Sequence, residues 1–196
     1  MRYLSPALVL MGALMLQAPA AHATPMTFVG NLSGANEVPP VNSPGTGLAT
    51  VILDPTAQTL QVNATFSGLT SNDVAAHIHC CAPLGTNVGV ATTVPAFPGF
   101  PLGVTSGTYN SVVFDLTQST IYNPAFVTLE GGLAQAEAAL IAGIEGGQTY
   151  FNIHTVNNPG GEIRSQLFPA LAPEPASLVL LGSALLGLGL IRKLRS

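Results

Sequence analysis

The stretch Thr59–Leu69, TLQVNATFSGL, alternates without a slip: Leu60, Val62, Ala64 and Phe66 stand between Gln61, Asn63, Thr65 and Ser67. Successive side chains of an extended chain point to opposite faces, so this pattern specifies a strand with one buried and one wet face. Shorter versions of the pattern recur at 26–32, 47–53, 74–79, 111–116, 149–155 and 162–168. Turn-forming runs such as SPGTG, DPTAQ, SGLTSND and NNPGGE separate most of them. With 21 glycines, 16 prolines and only 7% charged residues, the composition favours short strands and turns over salt-bridged helices. About seven such strands in a single domain read as an all-β protein, a sandwich or barrel of antiparallel sheets.

Two segments interrupt the alternation. Residues 132–147, GLAQAEAALIAGIEGG, are rich in helix formers and end in glycine, which predicts one short helix across an end of the sandwich. Residues 81–109 hold four prolines and many glycines, which predicts a long loop without regular structure.

The chemistry-bearing residues concentrate in AHIHCCAP, residues 76–83. On a strand His77 and His79 share a face, with Cα atoms roughly 6.5–7 Å apart, close enough for two imidazoles to converge on one zinc or copper ion. His154, Glu162 or a cysteine thiolate are candidates to complete such a site. A regular hairpin through NNPGG would bring His154 toward the row that holds Glu162 and Arg164. Those two also read as a salt bridge or polar cross-strand network, and each histidine as an imidazole bonded to backbone or carboxylate. Cys80 and Cys81 are the only cysteines, leaving a vicinal disulfide, free thiols, thiolate ligands or an intermolecular bridge as alternatives.

Charge narrows the function classes. Between Thr24 and Ala172 the chain has one cation, Arg164, against eight carboxylates, a formal charge of −7. No basic patch exists to release counterions from a phosphate backbone, which argues against nucleic acid as a partner. There is no GxSxG elbow, Walker loop or GxGxxG, and so no catalytic constellation to assign.

Both ends read as addresses. Residues 1–23 combine Arg2, an apolar run from Leu4 to Leu16, and Ala21-His22-Ala23, as in a signal peptide cleaved after Ala23 by signal peptidase. Residues 170–196 combine Pro173-Glu174-Pro175, an apolar run from Ala176 to Ile191 and the basic finish Arg192, Lys193 and Arg195. That run would form a C-terminal hydrophobic helix of roughly 24 Å, a membrane tether held from the cytoplasmic side by its cations. The three-part arrangement resembles the PEP-CTERM sorting signal. The resemblance implies recognition by an exosortase, removal of the tail, and delivery to the surface or extracellular polymeric matrix of a diderm bacterium after transient anchoring in the inner membrane.

Residues 32–54 (LSGANEVPPVNSPGTGLATVILD), 68–83 (GLTSNDVAAHIHCCAP) and 150–167 (YFNIHTVNNPGGEIRSQL) resemble the opening, central and closing motifs of the CHRD domain. The resemblance assigns 24–169 to that domain and implies an extracellular, immunoglobulin-like β-sandwich with no generally established enzymatic activity. Gly68-Leu69-Thr70 ahead of His77-Ile78-His79 also resembles the turn and ligand strand of copper–zinc superoxide dismutase, a Greek-key sandwich, although the further ligands for two metals are missing. The expectation is an exported binding or structural module, with an extracellular polymer or surface protein as partner. The alternative is a copper- or zinc-binding, redox-capable protein centred on the HxH strand.

Overall fold

The computed structural model describes residues 25–170. The leader with Ala21 and Ala23, the Pro173–Pro175 motif and the apolar tail lie outside the described residues.

Nine strands are joined by antiparallel pairing: β1 (Met26–Ser33), β2 (Thr46–Asp54), β3 (Thr59–Ser67), β4 (Asp73–Cys80), β5 (Gly107–Asn110), β6 (Phe114–Asp115), β7 (Thr149–Thr155), β8 (Ile163–Gln166) and β9 (Phe168–Pro169). They form one curled sheet in the order β4-β7-β8-β1-β2-β3-β5, with β6 on β3 and β9 on β1. The alternation in β3 is realised as read, since Leu60, Val62, Ala64 and Phe66 are buried and β3 pairs in full register with β2.

The curl faces β1–β3 toward β4, β7 and β8 across an aromatic core. Phe97 and Phe100, both from the long loop, fill it. Phe100 stacks on Phe66 of β3 at 5.6 Å and also reaches Phe151 of β7 at 6.3 Å. The loop therefore supplies core side chains as well as cover for an edge. It covers β4, where the Ala76 N–H donates to the Pro95 carbonyl and the Ala91 N–H to that of Ile78. Such cover removes the exposed strand edge that would otherwise invite pairing with another chain.

Two expectations need correction. The segment read as a strand at 111–116 is strand only at 114–115: the Ser111 N–H still donates to the Val62 carbonyl, but its hydroxyl oxygen rather than its carbonyl accepts from the Val62 N–H at 2.9 Å, and Val112 and Val113 turn out to solvent. Among the described residues there are two α-helices rather than one, α1 (Pro124–Glu130) and α2 (Leu133–Glu145). The start signal of α1 is local: Asn123 accepts from the Ala125 N–H, Pro124 opens the helix, and Gly131 at φ +90° ends it. At seven residues it is too short to show a periodic stripe. The longer α2 lays Ala136, Leu140 and Ile144 on the core.

Candidate metal centre

A register shift between Asp73 and Ala75 marks a bulge at the start of β4. Beyond it Ala76, Ile78 and Cys80 face the core while His77 and His79 face the other way. Pairing with β7 then sets the neighbours. His77 lies opposite Asn152, His79 opposite Tyr150, and His154 one row further along, opposite Ala75. The three imidazoles gather as a result: ring centroids of His77 and His154 are 4.6 Å apart, those of His77 and His79 4.8 Å, and those of His79 and His154 5.7 Å. Their ligand atoms all lie within 4.8 Å of one another, and all three residues are buried.

Hydrogen bonding fixes which nitrogen two of the three rings offer. His79 Nδ1 is 2.7 Å from the Val88 carbonyl and His154 Nδ1 is 2.9 Å from that of Pro159. A carbonyl only accepts, so both Nδ1 atoms carry the proton and both Nε2 atoms keep a lone pair. Those two Nε2 atoms and His77 Nδ1 are buried without a hydrogen-bond partner, as are Asn152 Oδ1, opposite His77, and Glu37 Oε1 on the same side. Burying one polar group unpaired costs about 1–3 kcal/mol, so three such nitrogens on rings gathered this closely call for a common partner.

Burial also keeps the rings neutral. It takes His77 down to about 2, with the neighbouring His154 and His79 adding to the effect. His79 falls to about 4 through burial, against the opposing Val88 hydrogen bond, and His154 is lowered by burial as well. Neutral imidazole is the ligating form. The shifts also carry a sign for folding. Each folded value lies below the ordinary 6.5, so the unfolded chain takes up protons first, and stability present above pH 6.5 drains away as the pH falls toward 4. Chemical denaturation of metal-free protein is expected to give a lower midpoint at pH 5 than at pH 7, with a smaller difference in His77→Ala/His79→Ala. Equal differences in the two proteins would contradict it.

The other candidates are placed elsewhere. Glu162 stays out of the cluster because its carboxylate is already saturated by Ser43, Thr70, Thr155 and Asn158. Nor does it pair with Arg164, whose ionic partner is Glu37 at 3.9 Å and which donates to the Asn36 carbonyl and the Asn87 amide oxygen. The two therefore belong to separate polar networks. Burial pushes the Glu37 carboxyl up to about 7 against the pull of the Arg164 guanidinium.

Cys80 and Cys81 are not placed as ligands: their sulfurs are bonded to each other and lie on the α2 side of β4, 3.7 and 3.4 Å from the Ala139 carbonyl oxygen. A Cβ at Gly143 would come within 2.5 Å of Cys80 Sγ and 2.7 Å of Cys81 Sγ. Alanine normally stabilises a helix interior over glycine by roughly 0.5–1 kcal/mol. Here Gly143→Ala is expected to destabilise by about 1–3 kcal/mol through overpacking, read as a lower thermal midpoint. A raised midpoint would contradict that packing.

Sequence reasoning missed Glu37, Asn87, Val88 and Tyr150. Only Tyr150 carried a readable signal, since period two puts it on the face of Asn152 and His154. Its ring stacks on His79 at 4.5 Å, and the Arg164 guanidinium carbon lies over the same ring, 4.5 Å from its centroid.

A donor set of three neutral imidazoles fits zinc or copper, which favour nitrogen ligands, and does not fit calcium or magnesium, which take oxygen.

No curated protein and no solved structure matches the chain. The model of one family, the CHRD domain, matches residues 28–167, a span that runs from within β1 through β8 and contains both helices and all three histidines of the cluster. The chain belongs to the CHRD domain family.

Proposed function

We propose that this chain is an exported CHRD module, binding or structural in role, that carries one zinc or copper ion on His77, His79 and His154. The observation that carries the metal reading is the gathering of three buried imidazoles, each with an unpartnered ring nitrogen and two of them with the Nδ1 proton tied to a backbone carbonyl. A histidine kept for structure alone would use both nitrogens, whereas a metal ligand uses one and anchors the other. Three protein ligands leave a coordination position for water or a small donor, and with copper a redox role.

In this reading the curled sheet corresponds to the immunoglobulin-like, Greek-key sandwich that the family resemblance implies. The leader hands the chain to signal peptidase and the PEP-CTERM segment hands it to an exosortase, by way of a transient inner-membrane tether. The destination is the cell surface or extracellular matrix, where a polymer or surface protein is the partner. The anionic surface supports a partner other than nucleic acid.

Metal analysis of untagged protein recovered from periplasm tests the site: about one zinc or copper per chain is expected in the wild type and none in His77→Ala/His79→Ala. Metal-free wild type that takes up neither ion on titration sinks the reading. Mass spectrometry tests the sorting, with a chain beginning at Thr24 and lacking the apolar tail expected at the surface; an intact tail in a cell with a working exosortase counts against it.

A further inference from the structure

The histidine face does not open freely to solvent, because residues 86–90 of the long loop cross it. Asn87 donates from Nδ2 to the Val38 carbonyl and accepts from Arg164 Nη1, each at 2.6 Å. Val88 is held through both backbone groups by one phenol: its N–H donates to the Tyr150 oxygen and the Tyr150 hydroxyl donates to its carbonyl, each at 3.2 Å. That same carbonyl accepts the His79 Nδ1 proton. Arg164 is anchored in turn by its Nε donating to the Asn36 carbonyl at 2.7 Å. Gly85, at φ +83°, and Gly89 stand on either side of residues 86–88, and the space where their side chains would stand is open.

We infer that Asn87 and Val88 form a strap that sets how tightly the histidine site holds its metal, with Arg164 and Tyr150 as the positioning residues that latch it. This rests on the metal reading above. The chain of cause is short. Arg164 and Tyr150 hold Asn87 and Val88 in place; the Val88 carbonyl then holds the proton on His79 Nδ1 and fixes the ring plane; Nε2 is thereby presented to the ion as a lone pair. With the strap loose, His79 can turn its ring or carry its proton on Nε2, and in that tautomer Nε2 offers no lone pair. Partners that orient a ligating histidine are worth about 10- to 100-fold in metal affinity. The same strap is the cover an ion must displace to leave, so the release rate moves with the affinity.

The test uses two substitutions that spare the three ligands. Asn87→Ala removes both side-chain latches from an exposed residue, and Tyr150→Phe keeps the ring on His79 while deleting the hydroxyl that holds Val88. Zinc affinity by competition with a chelator, zinc release into excess chelator, and the His79 tautomer by nitrogen-15 NMR of metal-free protein are measured in each. Affinity about 10- to 100-fold weaker, faster release and loss of the single Nδ1–H tautomer are expected, with a smaller loss in Arg164→Lys, which keeps the charge without the fork. Wild-type affinity and release in both Asn87→Ala and Tyr150→Phe overturn the strap while leaving the site standing. A wild type that takes up no zinc removes the site, and the strap's role with it.

Discussion

Excess zinc added to the metal-free protein is expected to raise its thermal midpoint by roughly 10 °C, and His77→Ala/His79→Ala is expected to abolish the rise. An ion that binds only the folded state adds about 4 kcal/mol at a free concentration a thousand times its dissociation constant. For a domain of this size each kcal/mol moves the midpoint by about 2–4 °C. The site is assembled from β4 and β7, which are far apart in sequence, so the unfolded chain offers no equivalent triad to compete. Comparing metal-free proteins separates this from a structural role. Histidines kept only as hydrogen-bonding core groups would cost stability when removed without metal, whereas ligands lose mainly the metal-dependent increment. A zinc-induced rise of equal size in the double variant would place binding elsewhere and sink the assignment.

How much of this could be read beforehand depended on how local the signal was. Period two in β3 and β7, the turn residues between strands, and the shared face of His77 and His79 are properties of a few neighbouring residues, and the folded chain keeps them. His154 was legible as a candidate and the hairpin register that set it beside the row of Arg164 is kept, but choosing it over Glu162 needed the β4–β7 pairing, which no short window encodes. Period two also implied one wet face per strand, yet every residue of β7 and β8 is buried. Their polar face is covered by loop residues such as Asn87 and Val88, which look unremarkable beside prolines and glycines. Glu37 shows the same limit. It sits in a turn, and only the approach of Arg164, more than a hundred residues later in the chain, gives it a role.

Glu162→Ala is expected to be the most damaging single substitution outside the apolar core. The side chain has no solvent exposure. Its Oε1 accepts from the Ser43 hydroxyl at 2.6 Å and the Thr70 N–H at 2.7 Å; its Oε2 accepts from the Thr70 and Thr155 hydroxyls at 2.8 and 2.6 Å and from Asn158 at 3.2 Å. Those donors come from the β1–β2 connection, the β3–β4 connection, the end of β7 and the turn after it, so one carboxylate ties four segments together. Alanine would strip several hydrogen bonds to a charge and leave donors buried without an acceptor, a loss of about 4 kcal/mol or more. Such a loss would lower the midpoint by roughly 10 °C. Burial alone would raise the carboxyl, but hydrogen bonds from Ser43, Thr155 and Thr70 outweigh it and hold it below the ordinary 4.5. The stability this contributes is therefore present above pH 4.5 and is lost as acid protonates the folded carboxylate. Glutamine keeps the volume but turns an NH₂ toward hydroxyl and amide donors, so Glu162→Gln should fall between wild type and alanine and lose part of the acid limb below pH 4.5. An alanine variant that melts with the wild type, or a glutamine variant with the full acid limb, would show that the four segments are held by something other than this carboxylate.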